Sequence, residues 1–516
     1  MILWQPVRDR PRSWGARYAL LALASWALTE PAEALAQGLQ DGARVMAIAS
    51  DARQENLQLL DAYGAARGLP AGNRCVLGGL PDAATELSAR VLTADDYQAL
   101  VLTPVQACLA DAHDPDAIDF LVVIRGMPNH VTGQGWQASL EAALTVGVTD
   151  VDGEPLWNRA EAVNQRPTIL SPLYKAFAVY DLMTELKGGR FPTAPHHADI
   201  ARDGPQDVLI ATAAGLERVG PVAWDLRPAY RLDGGSDEAT QALIDRSVES
   251  DYTAPDGLWM CMTGADPARG VRDRECGRAL DLLEDMQMRV ARPPWTADLT
   301  QEDPVIAYLT GAADLRGAID GVAYRPGALT DNITSFGAVP QNWSYGADGE
   351  SQTSIVRFLE AGASSTHGTS AEPLNGAFAS AGLMVLYAHG YTMGEAYALA
   401  LPYLRWMNVP VGDPLMAPYA PPPPPDPPDE AGEGEGERDP PEPDEPETGE
   451  GEGEPGGEPP GPGEAPDDGP DDPHGVAEGG AGDDDAPAPP TASGARGGDG
   501  GGCRVGQGLL LMPLRR

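Results

Sequence analysis

The chain has 516 residues and a formal net charge of −42, from 77 Asp and Glu against 35 Lys and Arg. An acidic balance of this size repels phosphate backbones and anionic lipid, which excludes roles that rest on charge attraction to nucleic acid or to a membrane surface. Only five cysteines are present, with no C-x-x-C pair, which argues against a zinc ribbon or a thioredoxin-type site.

Residues 1–36 read as an export signal. Arg8, Arg10, Arg12 and Arg17 precede the apolar run "YALLALASWAL", and the small-residue site "ALA" predicts cleavage after Ala36. Eleven apolar residues are too few to span a bilayer. The body expected from this reading is 37–420. It opens with "RVMAIAS", an apolar run of strand length, and continues into "DARQENLQLLDAYGAARGLP", whose Leu57, Leu60 and Tyr63 recur at helical spacing. Asp51 is placed to cap this helix, and Gly68 with Pro70 to stop it.

"RCVLGGLP" supplies the next strand. Strand, helix and strand in so short a span predict a right-handed crossover and a parallel sheet covered by helices. "IDFLVVIRGMP" is a continuous apolar run, as expected of a strand buried on both faces. Further strands are expected at "DVLIATA", "PVIAYLTG" and "EAGASST", and helices at "DEATQALIDRSVES", "DRECGRALDLLEDMQMRV", "SQTSIVRFLEA" and "TMGEAYALALPYLRWM". The sum is an α/β fold with a mostly parallel sheet flanked by helices, and no repeat period is visible.

Composition changes abruptly after Ala420. Residues 421–502 carry 25 Asp and Glu against two Arg, with runs such as "PPPPPDPPDEAGEGEGERDPP" and almost no branched or aromatic apolar side chains. Nothing there offsets the entropy of ordering the chain, so a disordered, extended acidic stalk is expected. The last segment, 503–516, reads "CRVGQGLLLMPLRR". A lone Cys503 after glycines, a short apolar stretch and a terminal basic pair resemble the C-terminal sorting tails of myxobacterial surface proteins. That resemblance implies a processing enzyme acting near Cys503 and retention at the cell surface, although the apolar stretch is shorter than such tails carry.

Cys75, Cys108, Cys261 and Cys276 are the cysteines of the body, an even number that suits an oxidising compartment. Four cysteines allow three pairings. Neighbours in sequence, Cys75 with Cys108 and Cys261 with Cys276, are the least demanding of them.

The order of motifs also carries a resemblance. "VMAIASDARQENLQLLDAYGAARGLPAGN", "IDFLVVIRGMP", "AYRLDGGSDEATQALID", "GASSTHGTSAEP" and "MGEAYALALPYLRWMNVPVGDPLMAPY" are similar to the succession found in an uncharacterised family of exported bacterial proteins associated with exosortase-type sorting systems. The ending further resembles gingipain-type cysteine peptidases, which implies a caspase-like fold. Their chemistry does not transfer. Such peptidases place a histidine in a "GHG" turn and a cysteine after the next strand, whereas "AIDGVAYRPGALTDNITSFGAVP" holds neither.

Ser335 stands near the place of that missing nucleophile but has no local base. His367 lies downstream, where a loop packed against hydroxyls and Glu372 is expected, with a role as base only as a fallback. Arg125 and His130 follow a buried strand, at the edge where open α/β sheets place ligands. Arg231 and Asp233 sit at another strand end, as a binding pair or an internal salt bridge. Asp413 between Gly412 and Pro414 reads as a turn-former whose carboxylate takes backbone amides. His196, His197 and Asp199, and the acidic loop around His113, do not assemble a metal set, and no metal or cofactor is expected. The expected function is an exported surface protein whose body binds or scaffolds, with a cell-envelope component as partner. The alternative is a peptidase-like hydrolase with a relocated nucleophile, Ser335 with His367.

Overall fold

The structure, a computed structural model, describes residues 41–422 apart from 134–135, 149, 152–153, 156–168, 172–205, 213–214, 223–225, 265, 297–298, 344–351, 374 and 405. Ala36, Cys503, the acidic segment from residue 423 onward, and His196, His197 and Asp199 lie outside the described residues.

In chain order the strands are β1 (Val45–Ser50), β2 (Arg74–Leu77), β3 (Val91–Thr93), β4 (Phe120–Ile124), β5 (His130–Gly133), β6 (Trp136–Ser139), β7 (Asp150–Val151), β8 (Glu154–Pro155), β9 (Ile169–Leu170), β10 (Gln206–Thr212), β11 (Gly215–Val222), β12 (Ala229–Leu232), β13 (Leu258–Cys261), β14 (Arg289–Ala291), β15 (Gln301–Thr310), β16 (Val322–Asn332), β17 (Ser365–Thr369) and β18 (Asn408–Gly412). The principal helices are α1 (Gln54–Arg67), α2 (Leu140–Gly147), α3 (Asp237–Ser250), α4 (Val271–Asp285), α5 (Gly382–Ala388) and α6 (Met393–Ala400).

Ten strands form one sheet in the order β14-β13-β15-β16-β17-β18-β12-β4-β1-β2. β2, β1, β4 and β12 pair parallel, as do β14, β13, β15, β16 and β17, while β17 and β18 pair antiparallel with His367 opposite Pro410, and β18 meets β12 at the single register pair Arg231 and Val411. The sheet is built of two sets of five strands that meet at β17 and β18. In chain order the first set is β1, β2, β4, β12 and β18, and the second is β13, β14, β15, β16 and β17. Both sets have the spatial order 2-1-3-4-5, a doubly wound arrangement. The residues that follow β4 and β12 and those that follow β16 and β17 meet along one edge of the sheet, where Asn129 donates to the Ala338 carbonyl and Trp343 to Asp233.

The local reasons are legible. β1 and β4 are buried along their whole length, as continuous apolar runs must be when helices cover both faces. α1 ends at Gly68, whose φ of +63° is the left-handed cap that glycine adopts without penalty. α6 opens with a capping box, in which Thr392 accepts from the Glu395 amide and Glu395 accepts from the Thr392 amide. It stops at Ala400, before Pro402, rather than continuing to Met407 as its periodicity suggests.

Other elements differ from expectation. Arg53, not Asp51, occupies the cap position of α1, and no side chain caps that end. "EAGASST" is split: Val356–Glu360 is helical and the strand begins only at Ser365. "DVLIATA" forms a strand, but in a separate three-stranded sheet with β9 and β11. Two disulfides join Cys75 to Cys108 and Cys261 to Cys276. The first ties β2 to the helix Thr103–Ala110, and the second ties the end of β13 to α4.

Candidate functional site

The carboxyl ends of the first set bring together most of the charged side chains named from the sequence. Arg125 directly follows β4, with Nη1 donating to Asp233 at 2.8 Å and Nε donating to Asp237 at 2.8 Å. Asp237 is also bound by Arg53 at 2.6 Å, from the turn after β1. Trp343 Nε1 donates to the second oxygen of Asp233 at 2.7 Å. Burial opposes charge on Asp233, yet Arg125, Arg90 and Arg231 together hold its carboxyl down at about 2. Arg53 and Asp237 keep side-chain exposures of 21 % and 30 %, so this is the part of the cluster that solvent or a ligand reaches.

Arg231 and Asp233 do not pair with each other. Arg231 Nε donates to Glu141 of α2 at 2.6 Å, its Nη groups donate to the carbonyls of Met127 and Pro128, and its guanidinium lies 5.3 Å from the Trp343 ring centre. A planar group with five donors suits this task, because it holds the turn after β4 against the sheet. Asp413 is likewise structural: it accepts from Tyr63 and Arg67 of α1 and from the Leu415 amide of its own turn. Gly412 before it has a φ of +136°, and a Cβ there would lie 2.8 Å from that of Ser365.

His367 is in β17, not in a loop, and is fully buried. Its Nδ1 lies 3.1 Å from Asp331 and its Nε2 lies 3.1 Å from Asn408, while Asp331 accepts from Arg272 at 2.8 Å. The result is a buried chain, Arg272, Asp331, His367 and Asn408, that runs from α4 through the ends of β16 and β17 into β18. Both ring nitrogens are occupied, so neither meets a hydroxyl. Ser335 is not brought to His367; its carbonyl instead accepts from Thr369 at 2.7 Å. Glu372 is exposed, on the surface beyond the strand, and does not share the buried setting of His367.

A different histidine meets a serine. His130, at the start of β5, places Nδ1 3.0 Å from Oγ of Ser370, the residue after β17. Burial pushes the His130 imidazole below its ordinary range, against a weaker pull from a hydrogen bond with Gln137. A neutral imidazole beside a hydroxyl is the pairing that nucleophilic catalysis uses. Here both side chains are nearly sealed, with exposures of 6 % for His130 and 2 % for Ser370.

Sequence reasoning finds Arg125, His130, Arg231 and Asp233 because each lies next to a strand end. It misses Arg53, Asp237, Glu141, Arg272, Asp331 and Ser370, whose partners stand up to 240 residues away. A buried arginine such as Arg272 needs a carboxylate partner, but nothing in the charged stretch "RGVRDRECGR" marks which of its arginines is buried. Among the described residues no group of three or more His, Cys, Asp or Glu is arranged to hold a metal ion, and no helix is long and apolar enough to cross a membrane. In comparisons with protein-family models, curated proteins and solved structures, nothing matches this chain.

Proposed function

We propose that this chain is an exported protein retained at the cell surface, whose body is a caspase-like α/β module that binds or scaffolds a cell-envelope component rather than cleaving a substrate. Its acidic segment serves as the stalk, and a processing enzyme acts near Cys503. The observation that carries the reading is the setting of His367. The histidine that stands among hydroxyls in the sequence has each ring nitrogen within hydrogen-bond distance of a buried group, Asp331 on one side and Asn408 on the other. Arg125 is committed in the same way, between Asp233 and Asp237. Groups spent on one another hold a surface in shape, and the part-exposed Arg53 and Asp237 are then the contact points for a partner.

A second reading, a hydrolase with a relocated nucleophile, is favoured by the 3.0 Å contact between His130 and Ser370. In it, His130 takes the Ser370 proton as Oγ attacks a carbonyl carbon. One experiment separates the two. The exported protein is treated with a fluorophosphonate probe for serine hydrolases and digested for mass spectrometry. The binding reading expects no adduct; an adduct on Ser370 that His130→Ala abolishes makes the protein an enzyme.

A further inference from the structure

On one face of the sheet, α2 and the segment after α6 lean over β12 and β18 and leave a cavity of about 40 Å³. Most of its wall is apolar, from Ala142, Ala398, Leu401 and Leu404. Of the polar side chains that also line it, two keep an atom without a partner among the described residues. Glu141, 1 % exposed, gives one carboxylate oxygen to Arg231, while the other, Oε2, takes no hydrogen bond among the described residues. Asn408, 4 % exposed, turns its amide oxygen to His367, and its Nδ2 donates to nothing among the described residues. A buried polar atom without a partner costs about 1–3 kcal/mol, so two residues of one cavity wall that each keep such an atom point to what the cavity is shaped to receive.

We propose that this cavity is a binding site for a primary carboxamide on a short aliphatic stem. The carboxamide N–H₂ donates to Glu141 Oε2, its carbonyl accepts from Asn408 Nδ2, and the stem lies against Ala398, Leu401 and Leu404. The size agrees: at roughly 10–15 Å³ per water-sized group, the space holds about three such groups, the carbon, oxygen and nitrogen of one carboxamide, and the stem leaves through its open side. The polarity selects against neighbouring chemistries. A carboxylate of the same shape meets the Glu141 charge, and an alkylammonium satisfies Glu141 but opposes the Asn408 N–H₂ with another donor. The site stands apart from the Ser370 and His130 pair, so the fluorophosphonate experiment does not bear on it.

The test is titration of the full exported chain with propionamide, followed by isothermal calorimetry and by the shift in melting temperature, with propionate and propylammonium as controls. Saturable binding of propionamide is expected, at least about tenfold tighter than either control, a difference of ~1.4 kcal/mol. Glu141→Gln removes the Arg231 ion pair and risks the fold. Ala398→Leu and Leu404→Phe therefore fill the cavity from its apolar wall, and each is expected to weaken propionamide at least about tenfold while the unliganded melting temperature holds or rises. Absence of saturable binding, which leaves the cavity to water alone, overturns the proposal. So does equal binding of propionate or propylammonium, or undiminished binding by both filled variants.

Discussion

Nδ1 of His130 and Oγ of Ser370 stand 3.0 Å apart although 240 residues separate them in the chain. The contact joins the turn after the third strand of the first set to the end of the last strand of the second. If it is a tie between the two sets and not a dyad, Ser370→Ala lowers stability by about 1 kcal/mol, the worth of one hydrogen bond, and leaves the protein unlabelled by a fluorophosphonate. Urea denaturation and intact mass after probe treatment check the two halves of this expectation.

The buried chain through His367 carries a larger penalty. Asp331→Ala leaves Arg272 buried without its carboxylate and His367 without its Nδ1 partner, and is expected to cost about 3–5 kcal/mol. Arg292→Ala removes an ion pair with Asp281 that is exposed on both sides, and is expected to cost no more than about 1 kcal/mol. The contrast between these variants in one set of denaturation curves is the measurement. Equal losses would mean that the buried chain contributes nothing special.

Asp251 gives a pH dependence whose sign is fixed. Burial lifts its carboxyl to about 6, although Arg67 pulls it down. Between its ordinary value near 4 and this raised one, the folded state keeps a proton that the unfolded chain has released. Stability from this group is therefore greatest below pH 4 and falls as pH rises to about 6, by an amount on the order of 2–3 kcal/mol. Asp251→Asn is expected to flatten that part of the stability profile, read as melting temperature from pH 4 to 7. A mutant profile as steep as the wild type across the window rejects the assignment.

The two disulfides predict a simple mass result. The folded body carries its four cysteines as two bridges, and peptide mapping without reductant is expected to link Cys75 to Cys108 and Cys261 to Cys276. Replacing Cys75 and Cys108 together by Ser is expected to cost about 3–4 kcal/mol, since that bridge closes a longer loop than the other does.

Truncation separates the body from the acidic segment. Ala420 is buried, and Tyr419 donates to the Pro255 carbonyl at 2.8 Å. Ending the chain after Ala420 should leave the melting temperature within a degree or two, about what a loss well below 1 kcal/mol produces. Ending it after Asp413 removes the buried Leu415, Met416 and Ala417 and should leave no cooperative transition.

How far the sequence carries depends on the range of each interaction. β1, β4 and β15 are readable because their apolar runs must be buried wherever the chain takes them. β18 is not: "NVPVG" is short and contains a proline, and nothing local in it announces that it will lie between β12 and β17, antiparallel to the latter. The shared strand order of the two sets is for the same reason invisible in the sequence. Within the site, Arg125 and Asp233 announce themselves at strand ends. The buried setting of His367 and the partner of Ser370 do not follow from their neighbours, because Asp331, Asn408 and His130 reach them only through the fold.

The seam at β17 and β18 also dictates an order of events as the chain folds. β18 is the fifth strand of a set whose first four are complete by Leu232, and the whole second set lies between them in sequence. Until β18 arrives, β12 has an open edge, and Arg67 and Tyr63 lack the Asp413 carboxylate that later binds both. Pairing across such sequence distances raises contact order and slows the final closure. During that interval the uncovered strand can pair with another chain, so molecules that stop short of residue 412 should be prone to aggregate.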